Sequence, residues 1–398
     1  MEIYVKKKFK NPVKKLIIII KIIILIFDSY PSLHSRRKIH IGSFPYFVYS
    51  QLRMSTCSCA GENPCSYGEE AVTDDRVPVI STSLAVKDIL GSVKARCGIG
   101  RMNYKVEPGI YKVNNPNENS PVLVSANYKL TFDTLRKNIP GLDCWLLILD
   151  TKGINVWCAA GEGKFGTEEL ISRIGQTGLA GIVSHRKLIV PQLGAPGVCA
   201  QEVSRKTGFS VVYGPVRAHD IKEFISNGYK ATGEMRSVHF TVKDRLVLTP
   251  IELVAAAKIF LPVLGALFIL NLFVKRQFGL YDVIAYAGAN IAGAVITPIL
   301  LPFIPGKAFS FKGWLMGLCW TAAAFWFFGW YAPENWLLVS GYGLLLPAVS
   351  AFLAMNFTGA STYTSPSGVL KEMKIALPFI IGSAFVGVLL VLLKSIIG

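Results

Sequence analysis

Cysteine is present in this chain without a cysteine framework. Eight are scattered over 398 residues at no regular spacing. That excludes a small secreted fold built on disulfides and suits a reducing compartment. Acid is scarce: 25 Asp and Glu stand against 42 Lys and Arg, for a formal net charge of +17. The excess does not build a nucleic-acid surface. Residues 1–53 alone hold a net +9, and elsewhere the basic residues are not interleaved with aromatics, so no nucleic-acid partner is expected. The remainder is mildly basic, as suits a protein beside anionic membrane lipid. Between Arg276 and Lys371 only Asp282, Lys307, Lys312 and Glu334 are charged. No acid relay of the kind a pump needs is visible there.

Apolar residues are abundant instead. They form 52% of the chain, above the usual soluble share. Five runs, 251–274, 283–303, 313–331, 336–357 and 375–393, each approach the roughly 20 apolar residues that cross a bilayer. Ala289 and Gly293 form a small-xxx-small pair that permits close helix contact. Asn290, Thr297, Pro298, Tyr342 and Asn356 lie at membrane depth, where interhelical hydrogen bonding or a kink is the plainest role. The Lys307/Lys312 and Lys371/Lys374 loops then face the cytoplasm, and Lys275/Arg276 face outward.

Four regions follow. Residues 1–53 read either as a signal-like anchor or, preferably, as residues upstream of a true start at Met54. Residues 54–78 form a polar linker with Cys57, Cys59 and Cys65, whose spacing matches no common ferredoxin pattern. Residues 79–245 read as α/β, and 246–398 as an all-α bundle of five transmembrane helices. In the α/β part, strand-like runs lie at 121–126, 145–150, 154–157, 181–184, 187–190 and 210–213, with helical patterns at 83–94, 131–138, 168–175, 198–206 and 218–226. Such alternation predicts a mostly parallel sheet covered on both faces, with ligands at the carboxyl ends of its strands.

The richest motif begins within the third run: Asn155, Val156, Trp157, Cys158, Ala159, Ala160, Gly161. It places one thiol at a strand end, before small residues that let a flat ligand approach the backbone. A thiolate is a soft donor for transition metals; the alternative is an inert core thiol. Gly161, Gly163 and Gly166 also match the dinucleotide fingerprint, with Thr167 as an N-cap and Glu168 and Glu169 in a first helical turn. That leaves a nicotinamide- or flavin-binding oxidoreductase in play. Against it, His185 and Arg186 stand where an acid should hold the ribose, and two glutamates would repel a pyrophosphate.

Residues 155–161 resemble the cap-helix motif of the corrinoid proteins of mercury methylation (the HgcA family). The resemblance extends to Phe165-Gly166-Thr167, to the stretch from Asn127 to Asp133, to Gly214-Pro215-Val216-Arg217-Ala218 and to the apolar tail. The soluble part is also similar to the corrinoid domain of the corrinoid iron–sulfur protein large subunit of the acetyl-CoA pathway. One departure stands out: the family's lysine after the glycine is Glu162 here, with Lys164 two places on.

The resemblance implies a Rossmann-like corrinoid-binding domain followed by the membrane bundle, in the inner (cytoplasmic) membrane with the corrinoid domain inside. It implies base-off cobalamin with Cys158 as lower axial ligand of cobalt. Asn155, Val156, Trp157, Ala159, Ala160 and Gly161 would shape the surface beneath the ring, and Asn127 and Thr131 the strand edge beside it. A helix cap or turn serves Asn127 and Thr131 equally well. No histidine sits in the D-x-H-x-x-G pattern of the commoner corrinoid modules. The implied activity is a cobalamin-dependent methyltransferase passing a methyl group from a one-carbon donor, through methyl-Co(III), to Hg(II). Implied partners are a ferredoxin-like iron–sulfur protein as reductant and a methyltetrahydrofolate methyltransferase as donor. A membrane-anchored corrinoid methyl carrier of acetyl-CoA or one-carbon metabolism is the alternative.

Overall fold

The computed structural model describes residues 77–273, 278–361, 363, 364 and 366–397. The expectations for 1–53, for Cys57, Cys59 and Cys65, and for Lys275/Arg276 lie outside them. The described chain divides after His239 into two compact units. The break falls slightly before the 245/246 boundary expected, because Thr241 caps a long helix from Val242: its hydroxyl accepts the Asp244 N–H, and the Asp244 carboxylate accepts the Thr241 N–H.

The first unit holds a six-stranded sheet in the order β1-β2-β4-β3-β5-β6. Its strands are β1 (Val79–Ile80), β2 (Gly109–Val113), β3 (Val122–Ala126), β4 (Cys144–Leu149), β5 (Lys187–Val190) and β6 (Ser210–Tyr213). Every residue of β3 and β4 is buried, as expected for central strands covered on both faces. Alternate residues feed two cores. Val122, Val124, Leu147 and Leu149 pack with Phe165 and Leu170 on one side. Leu123, Leu146 and Ile148 pack with Phe132, Leu135 and Phe224 on the other. β3 and β4 run parallel with Ala126 opposite Leu149, so their carboxyl ends lie level.

The sheet is mostly parallel, as expected, but β2 runs antiparallel to β4 and separates it from β1. This mixed order departs from an all-parallel doubly wound sheet. Neither β1 nor β2 was anticipated: β1 has two residues, and only Ile110 and Val113 of β2 are buried, so neither leaves a strong period.

The helices are α1 (Val86–Arg96), α2 (Lys129–Asn138), α3 (Val156–Gly161), α4 (Thr167–Gln176), α5 (Leu179–Ile182), α6 (Ala200–Thr207) and α7 (Ile221–Ser226). Two expected strands are corrected. Run 154–157 is not extended, because the Asn155 side chain accepts the Cys158 N–H at 2.9 Å and starts α3; capping overrides the β preference of Ile154 and Val156. Run 181–184 instead carries the end of α5, entered through Gly178 at φ 58°.

The second unit is helical: α8 (Val242–Leu270), α9 (Leu280–Ile291), α10 (Thr297–Leu300), α11 (Phe309–Phe328), α12 (Trp336–Asn356) and α13 (Pro366–Ile397). A π segment, Ala292–Ile296, joins α9 to α10. Long helices occupy all five expected places. Among the described residues four stretches, Val242–Leu270, Leu280–Leu300, Pro333–Gly359 and Ser367–Ile397, are long and apolar enough to cross a membrane. The fifth expected span, α11, is not among them. Polar side chains within these helices are used internally. Tyr342 donates to Asp282 at 2.6 Å, Ser350 to the Ala289 carbonyl and Thr297 to the Ala292 carbonyl. Gly293 lies so close to the Ser350 backbone that a Cβ there would sit 2.6 Å from its oxygen, the close approach expected of the Ala289/Gly293 pair.

Candidate cofactor-binding site

The site forms where β3 and β4 end side by side. Asn127, the first residue after β3, is 1% exposed. Its Oδ1 accepts the Thr151 N–H (3.1 Å) and the Gly153 N–H (3.0 Å). The Thr151 hydroxyl sits between that oxygen (2.9 Å) and the Ile154 carbonyl (2.6 Å). Asn127 Nδ2 donates to Asp150 Oδ1 at 3.0 Å. The amide is therefore spent on bracing the loop after β4, which has two positive-φ residues, Lys152 and Gly153. Thr131 stands in the first turn of α2, half-exposed, with its N–H given to the Tyr128 carbonyl.

That braced loop delivers Asn155, and Asn155 starts α3. Cys158 is thus in a helical turn, not at a strand end, and is 5% exposed. Burial, then the nearby Glu162 carboxylate, pushes its thiol up to about 11, against the opposing pull of Arg101 and the Asn155 hydrogen bond. Val156 and Ala159 belong to the sheet core. Ala160 packs backbone to backbone on Gly197, whose added Cβ would lie 3.1 Å from Ala160 Cα. These small residues allow close chain packing; Trp157 and Gly161 are half-buried at the margin. Lys164 pairs with Glu162 at 2.7 Å, so the displaced lysine is tied to the residue that took its place.

The glycine fingerprint loses its context. Gly161 closes a helix, where the fingerprint needs a preceding strand. Gly166, not Thr167, is the cap of α4. The Thr167 hydroxyl instead accepts the Cys199 N–H at 2.8 Å, and Glu169 accepts the Asp150 N–H at 2.8 Å. The turn from Gly194 to Gly197 packs on Phe165, joining β5 to α6.

Sequence reasoning missed Tyr128 and Arg101. Tyr128 follows Asn127, is 4% exposed, and its hydroxyl is the buried side-chain oxygen without a hydrogen-bond partner among the described residues. The Arg101 guanidinium lies 5.6 Å from its ring centre. Cys158 is close enough to act electrostatically on Tyr128, and Arg101 acts on both. Tyr128 lay within the motif that carried the resemblance, but nothing in its spacing marked it.

The donor set can be tested against a corrinoid. Among the described residues no group of three His, Cys, Asp or Glu side chains converges to hold a metal ion. A metal at Cys158 must bring most of its ligands with it, as a metal inside a planar macrocycle does, and a thiolate is a donor that such a transition metal can accept. A buried thiol beside an unpartnered hydroxyl, at the carboxyl edge of the sheet, fits that demand.

Residues 79–225 match the family model described as CO dehydrogenase/acetyl-CoA synthase delta subunit. The chain is 36% identical over 126 residues to the acetyl-CoA decarbonylase/synthase complex subunit gamma of Methanocaldococcus jannaschii, covering 31% of this chain and 25% of that one. It is 35% identical over 123 residues to the subunit gamma of Methanopyrus kandleri, covering 30% and 26%. The chain spans about a quarter of the length of these relatives. The α/β unit, which contains the span matched by the family model, is thus similar to the CO dehydrogenase/acetyl-CoA synthase delta-subunit family and to gamma subunits of acetyl-CoA decarbonylase/synthase complexes.

Proposed function

We propose that the α/β unit binds a corrinoid through the Cys158 sulfur, as lower axial ligand in the base-off form, and works as a methyl carrier in one-carbon metabolism. The observation that carries this reading is the lone buried thiol on α3, beside an unpartnered hydroxyl, in a domain related to acetyl-CoA decarbonylase/synthase subunits. When bound, the corrin supplies a cobalt centre able to accept and release a methyl group. The chain supplies placement. Asn127 braces the loop after β4, Asn155 holds the Cys158 amide, and the Ala160–Gly197 contact fixes the far end of α3. Cys158 must give up its proton to bond a metal, so loading below about pH 11 releases one proton.

The methyl acceptor is the finer question. A second reading, transfer to Hg(II) as substrate, is favoured by the Asn-Val-Trp-Cys-Ala-Ala-Gly run and by the membrane-length helices, which lie outside the matched span. In either case the reductant is a ferredoxin-like iron–sulfur protein, the donor a methyltetrahydrofolate methyltransferase, and the setting the cytoplasmic membrane with the α/β unit inside.

The test is anaerobic loading of the purified full chain with cobalamin. Wild type should take up the pigment, and Cys158→Ala should lose the sulfur-ligated absorbance. Methylmercury formation by cells carrying wild type but not Cys158→Ala supports the Hg(II) reading. Intact pigment binding without methylmercury leaves the carrier reading alone standing. An unchanged spectrum in Cys158→Ala would refute the axial role.

A further inference from the structure

Burying a hydroxyl without a partner costs free energy, so Tyr128 stands out. It is 4% exposed, and its oxygen makes no hydrogen bond. A phenylalanine would fill the same space without that cost. The position is fixed by the fold: Tyr128 caps α2 at the end of β3, Cys158 lies in α3 after the end of β4, and those strand ends are level and adjacent. Tyr128 is also clamped in place. Its backbone bridges Lys105, and the Tyr104 carbonyl accepts the Lys129 N–H. Arg101 stacks over its ring.

We infer that Tyr128 is a positioning residue for the Cys158 sulfur, donating its hydroxyl proton in a hydrogen bond to that sulfur once the thiol has become a metal-bound thiolate. The hydroxyl and the neutral thiol are not hydrogen-bonded here. A thiolate is a far stronger acceptor than a thiol and would draw the hydroxyl to it. The bond withdraws electron density from the sulfur and so weakens its donation to the metal, a tuning role that outer residues commonly play. No atom is transferred: the phenol keeps its proton, and the thiol proton leaves to solvent on metal binding. This inference rests on the corrinoid reading of the site.

The experiment compares full-length wild type, Tyr128→Phe and Cys158→Ala, each loaded anaerobically with cobalamin. It reads absorbance and electron paramagnetic resonance of the Co(II) form, together with the dissociation constant. Tyr128→Phe should bind about ten-fold more weakly or worse, the worth of one hydrogen bond to a charged atom. It should also show a shifted cobalt signature and, without cobalamin, melt no lower than wild type. Electron–nuclear double resonance of wild type in H2O and D2O should reveal an exchangeable proton that Tyr128→Phe lacks. That measurement stands on wild type even where a variant misfolds. If Cys158→Ala changes the signature but Tyr128→Phe matches wild type in spectrum and within two-fold in affinity, the inference is wrong and the site reading survives. If wild type takes up no cobalamin, both fall together.

Discussion

Replacing Asn127 by alanine should loosen the mount of Cys158 without touching the cysteine. The side chain holds the Thr151 and Gly153 N–H groups, shares the Thr151 hydroxyl with Ile154 and donates to Asp150. Truncation leaves the Gly153 N–H without an acceptor and the Thr151 N–H with only the Leu149 carbonyl at 3.1 Å, at a site 1% exposed. At about 1–3 kcal/mol for the unsatisfied donor, with the bonds to Thr151 and Asp150 lost besides, the loss is on the order of 2–4 kcal/mol. Hydrogen exchange read by mass spectrometry on the full chain is the suitable assay, because it resolves the loop from the rest. Peptides covering 150–158 should lose protection, while those covering β5 and β6 should keep it.

Asn127→Asp sharpens the argument. It preserves the acceptor but sets a second carboxyl about 3 Å from Asp150 Oδ1. Repulsion raises the pKa of the pair in the folded state. Its stability is then intact in acid and lost as pH rises through that raised value, so Asn127→Asp should be weaker at about pH 7 than at about pH 5. Unchanged exchange in the alanine variant, or a pH trend of the opposite sign in the aspartate variant, would refute the bracing role.

Other consequences can be measured directly. The Cys158 thiol is raised from 9.0 to about 11, so the folded state holds a proton that the unfolded chain loses. Without cobalamin, stability should fall by about 2–3 kcal/mol as pH rises from about 9 to 11, and Cys158→Ala should remove that part of the fall while the share due to Cys144 persists. Gly197→Ala would set a Cβ 2.2 Å from the Phe165 carbonyl oxygen; a loss of about 1–3 kcal/mol is expected, and a melting temperature equal to wild type would mean that this turn yields. Lys129 and then Arg136 hold the Asp88 carboxyl down to about 2. At a side chain 17% exposed, solvent screening reduces its worth to about 1 kcal/mol, present above about pH 4 and lost on acidification toward 2; Asp88→Asn should flatten that part of the acid limb in a denaturation series.

Much of this was legible in the sequence because it is written in period and composition. Strands β3 to β6 and helices α1, α2, α4 and α6 announce themselves by apolar runs and helical spacing. The apolar tail likewise gives its long helices. What was illegible depended on single side-chain contacts. Asn155 turned an extended-looking run into a helix with one hydrogen bond. β2 hid because its antiparallel pairing with β4 is a long-range matter that no local pattern encodes. At the site, Cys158 and Asn155 could be chosen from the motif. The work of Asn127 emerged only when the fold brought Asp150, Thr151 and Gly153 to it, and Tyr128 became visible only through the bond it fails to make.

Helix α1 is attached unlike any other element of the α/β unit. Ala95 is its one buried residue, and Val86, Ile89, Leu90 and Val93 face outward. What holds it to α2 is charge: Asp88 bonds Lys129 and Arg136 at 2.7 Å each. The partners are largely shielded, so added electrolyte screens these pairs little. Acid instead removes the Asp88 charge on which both depend, and should unfasten this helix while the apolar cores of the sheet stay closed. One element of the unit is thus held by a proton balance and the rest by buried apolar surface.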